Sequence, residues 1–400
     1  MQEIVVAGGG FAGIWSAAGA VRAAREAGAA DGVRVTLVSG GDDLVIRPRL
    51  YEQEPENKRV SLDRVLGPIG VHRKTATVTS IDTEAHTIGG VARDGAELTL
   101  SYDKLILATG SKAIPPSFPG SEDLFDVDTL SAAAALEHHL AGLSRRPPVE
   151  GLYTAVVVGA GFTGLEIATV LGERLHAVAE RGGQAEAPRV VLVDRADVLG
   201  PELGPGPRGH LERAVSELEI EQRLGRTVAS MTPRALTLSD GEVIPASTVI
   251  WTAGMAASSL TVQIPGQRDR LSRLIVDQYL QVEGVPDVYA AGDTAAAPTG
   301  DGHETMQSCQ HALPMGKFAG HNVVAALLGT TPLPFTPDPY TTCLDLGAAG
   351  AVYTEGWERT VVSSGAQAKE LKQNINTLWI YPPLDASDQL LAQAGRFTNG

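Results

Sequence analysis

Two glycine-rich turns carry the chemistry of this 400-residue chain. Gly8-Gly9-Gly10-Phe11-Ala12-Gly13 follows an apolar run at 4–7, and Gly159-Ala160-Gly161-Phe162-Thr163-Gly164 follows one at 155–158. In the G-x-G-x-x-G spacing the first glycine permits a tight turn and the second lets a pyrophosphate approach the backbone. The third brings the next helix close to the sheet, its N-terminus aimed at the phosphates. A lone turn of this kind is weak evidence. Two copies 151 positions apart, each between an apolar strand and a helical stretch, point to two dinucleotide sites.

The residues around the turns set the two sites apart. Asp194 closes the strand after the second turn, where a carboxylate can bond both ribose hydroxyls and repel a 2′-phosphate. That favours NADH, and the adjacent Arg195 softens the preference. The first copy has Ser39 at the equivalent place, with Asp42 and Asp43 slightly later. Gly292-Asp293 follows an apolar run at 288–291; a carboxylate there can hold the ribityl chain of a flavin at a helix start. Glu166, two positions past Gly164, either serves the helix dipole or contacts a nicotinamide carboxamide. Cys309 is a candidate flavin-proximal group, although a lone cysteine is more often a small buried hydrophobe. His311, two residues on, points to another face of a helix, so spacing gives no dyad. His138 and His139 read as an exposed helix pair, and no metal set emerges from the nine histidines.

Positioning these residues needs strand, turn, helix and strand twice over: helices at 14–27 and from just after Gly164 to about 178, second strands at 33–38 and 190–193. A buried strand at 105–108 ends in Ala108-Thr109-Gly110 and leads through Pro115-Pro116 and Pro119-Gly120 to a crossover. Thr252-Ala253-Gly254, after the strand at 249–251, mirrors it and marks the return. A helical stretch lies near 319–328. Pro332, Pro334, Pro337 and Pro339 form a linker to a strand-like segment at 343–353 and an amphipathic helix with Leu371, Ile375, Leu378 and Trp379 on one face. The fold class is α/β, with two Rossmann-like domains and a small α+β C-terminal domain.

Composition narrows the partners. Thirty-two Lys+Arg against 47 Asp+Glu gives a net charge of −15. That disfavours nucleic acid and anionic membrane surfaces, both of which need clustered cations. The two cysteines suit a reducing compartment. No signal peptide is expected at the N-terminus and no integral membrane segment along the chain, which places the protein in the cytoplasm, at most peripheral to a membrane.

Residues 4–13, 102–110, 156–166, 249–254 and 285–293 resemble the motif series of the pyridine nucleotide–disulfide oxidoreductase superfamily. Within it, residues 35–38, Arg47-Pro48-Arg49-Leu50-Tyr51 and 251–260 are most similar to the type II NADH dehydrogenases. The resemblance implies FAD on the first fold, held by Gly8, Gly10, Phe11, Ala12, Gly13, Arg47, Ala108, Thr109, Gly110, Gly254, Gly292 and Asp293. It implies NADH or NADPH on the second, held by Gly159, Gly161, Phe162, Thr163, Gly164, Glu166, Asp194 and Arg195. It implies residues 1–118 and 250–330 as the FAD domain, 119–249 as the NAD(P)H domain, 331–400 as a C-terminal cap, and a homodimer. Hydride would pass from nicotinamide C4 to flavin N5, then onward to a quinone-like or other small electron acceptor.

The chain also departs from its relatives. Residues 11–27 hold no cysteine pair, which excludes a flavin–dithiol relay. Neither Cys309 nor Cys343 sits where sulfide:quinone oxidoreductases place theirs. Aligning on Gly316 puts Pro314 and Met315 where type II dehydrogenases carry a Gln-Gln pair lining the quinone site; Gln310 and His311 do not restore it. The helix near 371–379 is short for a membrane anchor. Two other readings follow: a flavoprotein reductase or oxidase of a specialised small molecule, its pocket shaped by Pro314, Met315 and Cys309, and a redox-sensing nucleotide-binding protein without turnover.

Overall fold

The computed structural model describes residues 1–183 and 187–397. Its first sheet is built on β1 (Gln2–Ala7), whose Ile4, Val5, Val6 and Ala7 have no exposed surface. A central parallel strand is covered on both faces, which is why this run is uninterruptedly apolar. Helix α1 (Phe11–Glu26) carries the chain to β2 (Val33–Ser39), parallel to β1 from Gln2↔Val33 to Ala7↔Val38. Strands Lys104–Leu107 and Val288–Ala290 extend the sheet in parallel on the other side of β1. His72–Asp82 lies beyond β2 and continues into the antiparallel pair Thr87–Ala92 and Glu97–Ser101.

The same unit recurs as β3 (Thr154–Val158), α2 (Phe162–Gly182) and β4 (Arg189–Asp194). Glu221–Leu224 and Thr248–Trp251 flank it in a four-stranded parallel sheet. The outgoing and returning segments pair with each other: Ser111–Ala113 runs antiparallel to Met255–Ala257. The repeated pattern of the sequence is therefore repeated in space, and each sheet puts the carboxyl ends of its strands at its glycine turn.

Helix α3 (Cys309–Leu328) begins ten residues before the stretch expected from periodicity and keeps Pro314 inside it. Proline lacks one N–H and usually marks a helix end; here Ser308 caps the helix by accepting from the His311 N–H at 3.3 Å, and packing against α1 covers the rest. Gly316 faces α1 so closely that a Cβ would lie 2.4 Å from the Ala12 carbonyl oxygen.

After the linker come β5 (Thr341–Asp345), β6 (Ala351–Glu355) and β7 (Thr360–Gly365), an antiparallel meander, then α4 (Ala366–Asn374). The single strand-like segment expected at 343–353 is thus two strands broken by a turn at Gly347–Ala349. Leu344 and Val352 join the core of the second fold. The apolar face read at 371–379 is also corrected. Helix α4 passes into a π turn at Ile375–Trp379, Lys372 and Asn376 are buried, and Leu378 and Trp379 are each 62 % exposed. Polar partners inside the molecule, described below, outweigh the amphipathic pattern. Among the described residues no helix is long and apolar enough to cross a membrane.

Candidate functional site

Both glycine turns fit a pyrophosphate. At the first, Gly8 has φ +120°, and a Cβ there would meet the Ala108 carbonyl oxygen at 2.1 Å; a Cβ at Gly13 would lie 1.9 Å from the Gly8 oxygen. Those positions hold strand and helix together. Gly10 differs, because a Cβ there would meet no atom within 4 Å: its space faces outward, where a phosphate would sit. Gly164 repeats the close approach at the second turn, 1.7 Å from the Gly159 oxygen. Among the described residues no side chain caps α1 or α2, so their first N–H groups are left to an anion. Phe11 and Phe162 open those two helices, followed by Ala12 and Thr163.

Asp194 stands at the end of β4 with its carboxylate fixed by the Ala160 N–H at 2.6 Å and the Ala196 N–H at 2.7 Å. It is therefore locked beside the second turn, with Arg195 next in the chain. Ser39 packs against the first turn, its Oγ donating to the Gly41 carbonyl at 2.9 Å. Asp42 and Asp43 are taken by Arg73 and Arg59; hydrogen bonds from Thr75 and Arg73 hold the Asp42 carboxyl below its usual range.

At the carboxyl end of the first sheet, Asp293 gathers residues from four segments. Ser111 Oγ donates to Asp293 Oδ2 at 2.6 Å, and Arg47 Nη1 lies 3.5 Å from the same oxygen. Arg47 also donates to Ser111 Oγ at 2.9 Å and forms an ion pair with Asp128. Thr109 Oγ1, one turn of chain before, is buried with no hydrogen-bond partner, an orphan that a flavin edge could satisfy. Gly110 and Gly254 shape the two crossing strands, with Gly254 accepting from the Ile114 N–H. Sequence reading missed Ser111 and Asp128; the only signal for Ser111 was its place directly after Gly110.

Glu166 does not face solvent at the start of α2. It is 8 % exposed, pairs with Lys372 Nζ of α4 at 2.8 Å, and accepts from the Asp345 N–H at 3.3 Å. Burial pushes its carboxyl up, partly offset by Lys372. Lys369 pairs with Asp345, which also accepts from Tyr51 Oη at 3.0 Å. Asn376 donates to Glu52 Oε1 at 3.1 Å. These contacts explain why α4 buries its polar side. Burial likewise raises the thiols of Cys309 and, to about 11, Cys343, so both are neutral. Lys372 lowers and Asp293 raises the Cys309 thiol slightly, both outweighed by burial. Met315 is fully buried.

Two histidines are corrected or clarified. His139 is half-buried, not exposed: it meets Thr248 Oγ1 at 3.0 Å, its ring lies 4.3 Å from that of Phe125, and burial lowers it to about 4. His311 is 1 % exposed, accepts from the Met306 N–H at 3.0 Å, and is also lowered by burial to about 4.

A cavity of about 750 Å³ lies between α2, the segment around Tyr51 and the C-terminal unit. Arg49, Tyr51, Arg174, Lys369, Lys372 and Asn376 line it, and Thr377 at its rim leads directly to exposed Leu378 and Trp379.

Two sheets, each with a parallel core that ends in a phosphate-ready turn, define a flavoprotein of the two-dinucleotide-binding type. The chain belongs to the pyridine nucleotide-disulphide oxidoreductase family, whose description matches residues 2–316. That family comprises FAD-dependent NAD(P)H oxidoreductases, and the chain is an enzyme of this kind. It is 48% identical over 400 residues to an NADH dehydrogenase-like protein of Mycobacterium tuberculosis, with 99% of each chain covered. A demethylphylloquinone reductase of Synechocystis is 28% identical over 362 residues, covering 88% of this chain and 86% of the relative. Among solved structures, a Plasmodium falciparum NDH2 in complex with NADH superposes with a TM-score of 0.78 over 98% of this chain and 97% of that one, at 14% identity. This last likeness speaks to the fold.

Proposed function

We propose that the protein is an NADH dehydrogenase that reduces a quinone-like small acceptor. The reading rests on one observation: the cavity is lined by Lys372, the ion-pair partner of buried Glu166, and by Thr377, which is next in the chain to exposed Leu378 and Trp379. When bound, FAD takes hydride from nicotinamide C4 at N5 and releases electrons to the acceptor. The protein's task is placement. Gly8, Gly10 and Gly13 would receive the FAD pyrophosphate; Asp293, steadied by Ser111 and Arg47, would hold the ribityl chain. Gly159, Gly161 and Gly164 would receive the NADH pyrophosphate and Asp194 the ribose diol, which favours NADH over NADPH.

Glu166 and Lys372 serve the acceptor side in this reading. A carboxyl raised by burial and paired with an ammonium can hold a proton near a reducing acceptor. The likeness to the demethylphylloquinone reductase of Synechocystis and the exposed apolar pair Leu378 and Trp379 both favour a quinone. We further propose a cytoplasmic homodimer that meets membranes only peripherally, with 1–118 and 250–330, 119–249 and 331–400 as its functional divisions.

The test is anaerobic reduction of the flavin-loaded protein by NADH and NADPH, followed by mixing with menadione, a water-soluble dye and oxygen. Flavin bleaching by NADH and reoxidation by menadione are expected. Reoxidation by dye or oxygen alone would favour the specialised-substrate reading, and no bleaching at all a nucleotide-binding protein without turnover.

A further inference from the structure

The turn between β6 and β7 reaches away from its own sheet and lies against the second glycine turn. Arg359, at its end, has its carbonyl oxygen 2.4 Å from where a Cβ of Gly206 would stand, so the turn rests directly on the loop that follows β4. Its guanidinium carbon is 6.0 Å from the ring centre of Phe162 and 5.4 Å from that of Tyr340. Phe162 is the residue immediately after Gly161. Trp357 fixes the turn: it stacks on Tyr340 and on His303, each at 4.5 Å, and its Nε1 donates to Asp301 Oδ2 at 2.7 Å.

Three features combine at Arg359, the last of them found at no other arginine among the described residues. Among the described residues it forms no ion pair with a carboxylate, although this acidic protein offers many. Its Nε is buried without a hydrogen-bond partner, a costly state for a guanidinium donor. Its backbone is held at φ +50°, a left-handed conformation that a side-chain-bearing residue adopts at an energetic cost. Beside it, the Glu202 carboxylate oxygen lies 3.3 Å from the position a Gly161 Cβ would take. An anion therefore borders the space meant for phosphate, and a cation is needed to offset it.

We infer that Arg359 is a nucleotide-binding residue: its guanidinium meets the pyrophosphate of the dinucleotide seated on Gly161, so the C-terminal unit completes the second cofactor site. This rests on the reading of the second fold as the NAD(P)H site. Arg359 also hydrogen-bonds Tyr340, which steadies a planar guanidinium whose fork suits two phosphate oxygens, and Glu202 opposite tunes how tightly they are held.

The test is titration calorimetry of the flavin-loaded protein with ADP-ribose, which carries the pyrophosphate and no nicotinamide, and with adenosine, which carries neither. Arg359→Met keeps the stem against Phe162 and Tyr340 while removing charge. It should weaken ADP-ribose about tenfold or more and leave adenosine unchanged. Arg359→Lys should restore part of the loss, and Glu202→Gln should tighten ADP-ribose several-fold. Flavin reduction by a phosphate-free N-benzyl dihydronicotinamide should not change in any variant. Unaltered ADP-ribose affinity in Arg359→Met, or an equal loss for adenosine, overturns the assignment of Arg359. Failure of the unmodified protein to bind ADP-ribose overturns the NAD(P)H reading of the second fold, and Arg359 with it.

Discussion

Glu166 of α2 and Lys372 of α4 form an ion pair of 2.8 Å between the second Rossmann-like fold and the C-terminal unit, both side chains nearly lost to solvent. Removing one charge from such a pair strands the other in a low-dielectric setting. Lys372→Met should therefore destabilise the protein by about 3–5 kcal/mol in urea unfolding. The double variant Glu166→Gln/Lys372→Met should recover most of that loss, because neither charge remains to be solvated. A Lys372→Met protein as stable as its parent would mean the pair is hydrated in solution.

The glycine turns allow cofactor binding to be separated from folding. Gly13→Ala would drive a Cβ to 1.9 Å from the Gly8 oxygen, so this variant should fail to fold or lose several kcal/mol of stability. Gly10→Ala meets nothing within 4 Å in the protein and should fold normally. It should still purify with little flavin, since the new methyl occupies phosphate space. Absorbance at the flavin bands, read against protein concentration, decides between the two outcomes. Full flavin content in Gly10→Ala would exclude the pyrophosphate from that turn.

His311 should make the protein acid-sensitive. Its pKa is lowered by burial from 6.5 to about 4, and its Nδ1 accepts the Met306 N–H. Between these values the unfolded chain binds a proton that the folded one refuses. The neutral ring's contribution is thus complete above pH 6.5 and is lost as pH falls toward 4. A shift of this size corresponds to about 3 kcal/mol at most. Unfolding free energies at pH 7 and pH 5 should differ less for His311→Gln than for the parent. Equal pH slopes would assign the acid sensitivity to other groups.

Much of this was readable from residues alone, and the exceptions have physical causes. The two glycine turns, the strands they follow and the paired crossings were all legible, because local spacing dictates them. Helix α3 was read too short because Pro314 is a strong local stop, whereas packing against α1 through Gly316 is a long-range contact. Glu166 could be placed on a helix start but not given a partner, since Lys372 lies more than two hundred positions away. The buried side of α4 was misread for the same reason. Lys372 and Asn376 look like solvent-facing residues until Glu166 and Glu52 come into view.

Leu378 and Trp379 are the consequence of that inverted face. The π turn at Ile375–Trp379 pushes both outward, each 62 % exposed, directly after Thr377, which lines the cavity proposed for the acceptor. Burying side chains of this size in an apolar phase contributes on the order of 2 kcal/mol each, enough for weak, reversible attachment to a bilayer. The net charge of −15 opposes approach to anionic lipid, so attachment should be firmer on zwitterionic vesicles, and salt should strengthen it on anionic ones by screening. Leu378→Ser/Trp379→Ser should lose co-sedimentation with zwitterionic vesicles. The same variant should turn over a water-soluble quinone at the parental rate and a lipid-dissolved long-chain quinone several-fold more slowly. An equal effect on both quinones would place the two residues in the cavity's own structure, and no effect on either would leave the acceptor entering by another route.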